Sequence, residues 1–408
     1  MRIAFDGTTL TPGRTGVGYY TEHLLQHLAR EVALTGDELV VISNLPIDTE
    51  APLPPGVRVY DRHRFPVRAV WMQAGAPRAL ADIEPDVVHF TNGMMPVLCE
   101  TAAVVTVHDM SLRLYPRFHP LRRLVINRPL QRLAIARADA IVTVSHSTRR
   151  DLLRLHGAAP DRVSVVHEAA SPAFRPVTDA AALARVRTRY ALPDRFVLYL
   201  GTVEPRKNLG RLLEAMARAR AAGMPHALVC AGPYGWLSND LAATIDRLGL
   251  ASVVHFTGYV RFEDLPALYS LCEVFAFPSI YEGFGLPVVE ALACGAPVLT
   301  SSTSSLAEIA ADAALTVDPL SVDALTAALV RLASDGPLRV ALRAAGPARA
   351  ASFSWAQAAR DVLAVYRTAV AARAGARAGA MAGARPVRHQ APESSAVSRT
   401  PAEGPDAV

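Results

Sequence analysis

Lysine is almost missing from this chain. Of 42 basic residues, Lys207 alone is a lysine. A position that keeps lysine amid arginines is one where the planar guanidinium fork does not serve and a compact, mobile point charge does, as against a phosphate approached from one side. Cysteine is scarce too: Cys99, Cys230, Cys272 and Cys294 lie far apart and form no C-x-x-C pair. That spacing suggests neither a disulfide framework nor a zinc site and fits a reducing cytoplasm. No D-x-D pair occurs, so no acidic motif for a metal is expected. The uncharged stretch 291–307 is broken by Gly295 and Pro297 and is rich in Ser and Thr, which excludes a membrane span there. The opening residues read as a strand entering a turn, and no secretory signal is expected.

Large excess charge is also lacking. The formal net charge is +5, but Arg373, Arg377, Arg385, Arg388 and Arg399 fall in a tail with three acids. The body is therefore near balance, which argues against a nucleic-acid partner.

What is present is length and alternation. A chain of 408 residues, 51% hydrophobic, exceeds one ordinary core and has apolar residues enough for two. Short β-branched runs at 2–5, 39–43, 57–60, 87–90, 103–107, 140–144 and 163–166, then at 196–200, 227–231, 253–257, 274–278, 297–300 and 314–317, alternate with helical patterns. Continuous apolar strands separated by helices predict α/β architecture: two doubly wound, Rossmann-like domains with parallel sheets. They span 1–175 and 194–352, joined over 176–193, where prolines predict an extended connection. An amphipathic helix over 353–370 should bury Trp355, Val362, Val365 and Tyr366. From 371 to 408 the chain is Ala, Arg, Gly, Pro and Ser, and disorder is expected.

Doubly wound sheets bind ligands outside the carboxyl ends of their strands. Arg206 and Lys207 follow the first strand of the second domain. After the strand at 274–278 comes Tyr281-Glu-Gly-Phe-Gly-Leu-Pro-Val-Val-Glu290. Pro287 is pre-set for a first helical turn, which puts Glu282 on the loop and Glu290 about one turn into the helix. Gly283 and Gly285 leave bare amides at a helix N-terminus, a favourable place for an anion. Two acids, an amide nest and a basic pair suit diphosphate and hydroxyl groups together.

Glu282 and Glu290 in the setting E-G-F-G-L-P-x-x-E-A resemble the retaining nucleotide-sugar glycosyltransferases of family 4, which have the GT-B architecture. The resemblance runs from residue 1 to about 370. It includes Asp6-Gly with the loop Thr15-Gly-Val-Gly-Tyr19, His108-Asp109, Val144-Ser-His-Ser-Thr148, Gly201-Thr-Val-Glu-Pro-Arg-Lys-Asn208, Phe256-Thr-Gly-Tyr-Val260 and Ser304-Ser-Leu-Ala-Glu308. It implies an acceptor-side first domain, a nucleotide-sugar-binding second domain and a C-terminal helix crossing back to the first. It also implies roles. Glu290 would bind the ribose hydroxyls, and Glu282 with the amides of Gly283, Phe284, Gly285 and Leu286 the transferred sugar. Arg206 and Lys207 would neutralise the diphosphate. His108 would reach the donor sugar, Gly16 and Gly18 would let backbone approach it, and Val260 would lie near the base. Two positions depart from the pattern: Thr202 stands where many relatives carry Arg, and Glu168-Ala169-Ala170 where Asn-Gly-Val is frequent.

Breaking a glycosyl phosphate bond creates an oxocarbenium-like sugar and a leaving diphosphate, which fixed positive charge stabilises. Lys207, Arg206 and the helix N-terminus would then serve without a metal, and no cofactor is expected. In retaining members of this fold the leaving phosphate oxygen is thought to deprotonate the acceptor hydroxyl. The version Glu-Pro-Arg-Lys-Asn resembles members that use GDP-mannose. The rival reading is a sugar-nucleotide epimerase or phosphorylase on the same fold, and behind it a dead sugar-binding relative, which should have lost Lys207 or Glu282. Gly13-x-x-Gly16-x-Gly18 is no dinucleotide fingerprint, because it comes well after the strand and Asn44, not an acid, ends the second strand.

Between residues 110 and 138 stand Arg113, Arg117, Arg122, Arg123, Arg128, Arg132 and Arg137 with no acid, interspersed with leucines and preceded by Tyr115 and Phe118. This pattern fits a segment lying on an anionic surface such as the inner membrane leaflet, near a glycan or lipid-linked acceptor. Alternatively it is a solvated helical face or a seam against the rest of the first domain, since Pro116, Pro120 and Pro129 should interrupt any long helix.

Overall fold

A computed structural model describes residues 1–12, 16–233 and 241–383. The first domain is a parallel sheet of β1 (Arg2–Asp6), β2 (Glu38–Ile42), β3 (Val57–Tyr60), β4 (Val87–Phe90), β5 (Ala102–Val107), β6 (Ala140–Thr143) and β7 (Val163–Val165), in the order β3-β2-β1-β4-β5-β6-β7. The second holds β8 (Phe196–Leu200), β9 (Ala227–Ala231), β10 (Val254–Gly258), β11 (Val274–Phe277), β12 (Val298–Ser301) and β13 (Leu315–Val317), in the order β10-β9-β8-β11-β12-β13. Every expected strand is present, shifted by a residue at some ends. Burial on both faces explains the unbroken apolar runs: all six residues of β5, Ala-Ala-Val-Val-Thr-Val, are buried. The strand order reverses between β1 and β4 and between β8 and β11. The loops leaving those strands open at the crevices where such sheets take ligands.

Three expectations are corrected. The connection expected to be extended contains a helix, Ala180–Arg189. The Asp179 side chain caps it by accepting the Ala181 amide, Val186 is buried, and Arg189 and Tyr190 both bond Asp264 at 2.7 and 2.8 Å. The helix thus packs with the second domain, leaving 169–178 as the irregular crossing. The loop expected around Gly16 and Gly18 is already helical, within the helix Gly16–Thr35 that buries the stripe of Tyr20, Leu24, Leu25 and Leu28. Thr15 and Gly13 lie outside the described residues. Finally, the helix expected to end near 370 runs from Trp355 to Gly383. Its Ala- and Arg-rich extension has high helix propensity. Arg373 is anchored to Asp139 and the Thr101 carbonyl, and Arg377 to the Glu100 carbonyl. Residues 384–408 of the expected tail lie outside the described residues.

This last helix buries Trp355, Val362, Val365 and Tyr366, as its amphipathic pattern requires. It crosses back onto the first sheet, where the Tyr366 hydroxyl lies 2.8 Å from His89 Nδ1. His89 Nε2 lies 2.7 Å from Thr106 Oγ1. Burial holds the imidazole neutral, pushing its pKa down to about 3.

Candidate active site

The two loops at the second switch point touch. Gly201, at φ 142°, follows β8 in a backbone conformation that favours glycine. The chain then turns through Pro205–Lys207 into the helix Leu209–Ala221. Asn208 is left-handed at φ 62°, and its amide donates to the Pro278 and Pro319 carbonyls at 3.0 and 2.7 Å. The Ile280 amide donates to the Arg206 carbonyl at 2.9 Å. These bonds fix Arg206 and Lys207 against the loop that follows β11.

The charges of that loop pair form one cluster, in which Glu204 and Glu282 are buried and Arg206 and Lys207 half-buried. Lys207 Nζ lies 2.7 Å from Glu282 Oε1 and 4.7 Å over the Phe277 ring. Arg206 donates to Glu282 Oε2 at 2.6 Å, to the Tyr281 carbonyl at 2.7 Å and to Glu204 Oε1 at 2.7 Å. Burial alone would raise the Glu282 carboxyl, but Arg206 and Lys207 overcome it and hold the pKa at about 2. Burial lowers Lys207, opposed by Glu282. For Arg206 burial is outweighed by Glu282 and Glu204, and its pKa rises. Charges kept out of water need such partners. Glu204, which sequence reasoning did not assign, is the fourth member; its position two residues before Arg206 was the available signal. Arg206 supplies the guanidinium at this cluster, and Thr202 supplies none.

Glu282 lies on the loop and Glu290 one turn into the helix Leu286–Ala293, as expected from Pro287. Glu290 accepts the Tyr269 hydroxyl at 3.0 Å. Burial, reinforced by Glu168, pushes its carboxyl up to about 7. Gly285 caps the helix at φ 113°, and a Cβ there would press on Leu306. Phe284 is buried, edge-on to Phe353. At Gly283 a Cβ would overlap the His108 carbonyl oxygen. The Gly283 carbonyl accepts Ser145 Oγ at 2.6 Å and Thr148 Oγ1 at 3.2 Å. The glycine therefore permits the two domains to meet backbone to backbone.

His108 is brought to this junction by its main chain. Its ring, expected to reach toward a donor, is engaged within the first domain: Nε2 with the Thr91 carbonyl at 2.8 Å, Nδ1 with Glu168 at 3.3 Å, and edge-on against Tyr20 at 4.7 Å. Glu168 thus makes a contact of its own at the departure from the family pattern. Gly16 and Gly18 open the helix whose Tyr19 stacks on Phe262 of the second domain at 5.8 Å, next to the loop that buries Val260. Two further junction residues stand in motifs quoted from the sequence but are given no role there. The Tyr281 hydroxyl donates to Asp151 at 2.9 Å and accepts the Met110 amide at 3.3 Å. Glu308 accepts the amides of His146 and Ser147, both at 3.1 Å. Both depend on long-range packing that spacing does not reveal.

Residues 184–349 match the model of glycosyl transferases group 1, and residues 14–173 that of glycosyltransferase family 4. The O-antigen chain mannosyltransferase B of Escherichia coli is 31% identical over 388 residues, covering 90% of this chain and 100% of that one. The chain is a family 4 glycosyltransferase. Sucrose-phosphate synthase from Thermosynechococcus elongatus superposes with a TM-score of 0.72 at 22% identity, covering 91% of this chain and 99% of that one. HepE of Anabaena in complex with UDP-glucose does so with 0.68 at 18%, covering 89% and 99%. The fold of this family 4 glycosyltransferase is GT-B, and the matches favour transfer over the epimerase or phosphorylase reading.

Beside the cleft the arginine-rich stretch forms the turns Ser111–Leu114 and Pro116–Phe118, then the helix Leu121–Arg137. The prolines do not prevent this helix. Pro129 cannot donate to the Val125 carbonyl, and Val125 is exposed, so water can serve it. Ala134 and Ile135 anchor one end, whereas Leu121 is 75% and Val125 64% exposed. Tyr115 stacks on Phe118 and lies 5.3 Å from the Tyr281 ring, so the segment borders the Glu282 loop. Among the described residues no helix is long and apolar enough to cross a membrane.

Proposed function

We propose that this glycosyltransferase moves a hexose, mannose first among candidates, from a nucleoside diphosphate donor such as GDP-mannose to a hydroxyl of a glycan or lipid-linked acceptor, with retention and without a metal. The observation that carries the reading is the pair Arg206 and Lys207, half-buried and held on the buried Glu282. An incoming diphosphate competes with that carboxylate for both cations. Glu282, released in part, is then placed to accept hydroxyls of the transferred sugar, while Glu290 takes the ribose. As the C1–O bond to phosphate breaks, the electron pair goes to the leaving diphosphate and the acceptor oxygen bonds C1. The acceptor proton passes to the leaving phosphate oxygen. The two cations face charge that grows along this path, which is where fixed electrostatics accelerate a reaction. Mannose is supported by the 31% identity to a mannosyltransferase.

The exposed Leu121 and Val125 among arginines support placement on an anionic inner leaflet, close to a lipid-linked acceptor. At about 1 kcal/mol per basic residue near such a surface, four arginines suffice for reversible, salt-sensitive attachment.

The test is a thermal-shift panel of GDP, UDP and ADP sugars, since a ligand at a hundred times its Kd adds about 2.7 kcal/mol. GDP-mannose should give the largest shift. Incubated without acceptor, it should stay intact or hydrolyse slowly; an epimerised sugar would overturn the transferase reading.

A further inference from the structure

Outside the cation cluster, a second set of chemistry-bearing side chains meets across the domain junction. His146, the first residue of the helix His146–His156, and His167, just after β7, come from the first domain. Glu308, on the helix Ser304–Ala310, comes from the second. One ligand atom from each lies within 4.8 Å of the other two. His167 Nε2 is 2.8 Å from Glu308 Oε1, and the His146 and His167 rings meet edge-on at 5.5 Å.

The carboxylate is held in place. Its oxygens accept the amides of His146 and Ser147, and Arg349 fixes the main chain beneath it by donating to the Glu308 carbonyl at 2.7 Å and the Ile309 carbonyl at 2.9 Å. His167 is wedged against Phe353 and Phe284, at 5.5 and 6.1 Å between ring centres. His146 is exposed, and its ring nitrogens take no hydrogen-bond partner among the described residues. Two ligands are thus pre-positioned and the third is free to turn and open to solvent.

We infer that His146, His167 and Glu308 form an inter-domain site for a borderline divalent ion of the Zn²⁺, Co²⁺ or Ni²⁺ class. Two imidazoles and one carboxylate are a donor set these ions favour over Mg²⁺ or Ca²⁺, which prefer oxygen. Bonds of about 2.0–2.2 Å put tetrahedral ligand atoms about 3.4 Å apart. The site reaches this spacing if His146 swings inward and His167 gives up its bond to Glu308. Three protein ligands leave a fourth position to water. Because the ligands come from both domains, the bound ion ties them together beside Phe284 of the donor loop. The ion takes no part in sugar transfer, so the inference stands or falls independently of the proposed reaction.

Calorimetry on the full, untagged chain with Zn²⁺ alone, and Co²⁺ absorption as a second readout, test it. One ion should bind per chain, and Co²⁺ should give the visible bands of a tetrahedral site. His146→Ala, at an exposed position, should abolish the bands and weaken binding by at least the roughly 10–100-fold that loss of a mere outer-shell partner costs. Glu308→Gln should weaken it comparably. Absence of binding at micromolar Zn²⁺, or equal binding by wild type and His146→Ala, overturns the site. Binding lost in His146→Ala but unchanged in Glu308→Gln overturns its inter-domain character.

Discussion

Positive charge is used in two opposite ways in this molecule. Arg206 and Lys207, with side chains only 14% and 13% exposed, are neutralised by Glu204 and Glu282, whereas Arg113, Arg117, Arg122, Arg132 and Arg137 stand exposed on a helix and its approach, in a stretch with no acid. Burial makes the difference. A cation withdrawn from water must be paired, so the first pair exists as a preassembled cluster that a diphosphate enters by exchange. On the surface water and salt serve instead, and the same charge stays available to a broad anionic partner, weakly and reversibly. The first arrangement suits chemistry and the second suits location.

Breaking the paired side should have the largest effect. Lys207→Arg should fold normally but lose about 10²–10³ in kcat, because Arg206 already fills the neighbouring space and a second fork cannot reproduce the point charge. More than half of wild-type kcat would count against this. The two glutamates sharpen the point. Glu282→Ala should mainly lower kcat and Glu290→Ala should mainly raise the donor KM, since the first touches the sugar that reacts and the second a part that does not. Equal effects on both constants in both variants would contradict the assignment.

Breaking the surface side should leave soluble-acceptor turnover intact. With Arg117, Arg122, Arg123 and Arg128 changed to Gln, sedimentation with anionic vesicles should be lost. If wild type and variant bind alike, or neither binds, the helix is a solvated face.

The smallest effect concerns pH. Glu290 has a folded pKa near 7 against the usual 4.5. Its stabilising contribution is therefore complete below 4.5 and is lost as pH rises through 7. Glu282, held near 2, contributes above 4.5 and loses that contribution as pH falls toward 2. Moving from pH 5 to pH 8 should thus lower the Tm of wild type relative to Glu290→Gln. A Tm difference independent of pH would show that the carboxyl is not held protonated.

Much of this was legible in the sequence. Periodicity located all thirteen strands found among the described residues, because buried parallel strands advertise themselves as unbroken apolar runs. The loop position of Glu282 and the helical position of Glu290 followed from Pro287. What stayed hidden depends on distant partners. Nothing local shows that Glu282 clamps Lys207, that Gly283 is glycine because the His108 carbonyl lies against it, or that the His108 ring is claimed by Thr91 and Glu168. The Ala180–Arg189 helix was masked by flanking prolines, and the extension of the last helix to Gly383 by an Ala- and Arg-rich composition that reads equally as disorder. In the second case Arg373 and Arg377, anchored on the first domain, decide the outcome.

The most direct test of the account titrates the nucleoside diphosphate that shifts wild type most into wild type and Lys207→Ala, by calorimetry in EDTA. The account predicts that wild type binds without metal and that the variant binds at least tenfold more weakly, near the 1.4 kcal/mol that a factor of ten represents. Affinity within twofold of wild type in Lys207→Ala, or wild-type binding that vanishes in EDTA and returns with Mn²⁺, would contradict it.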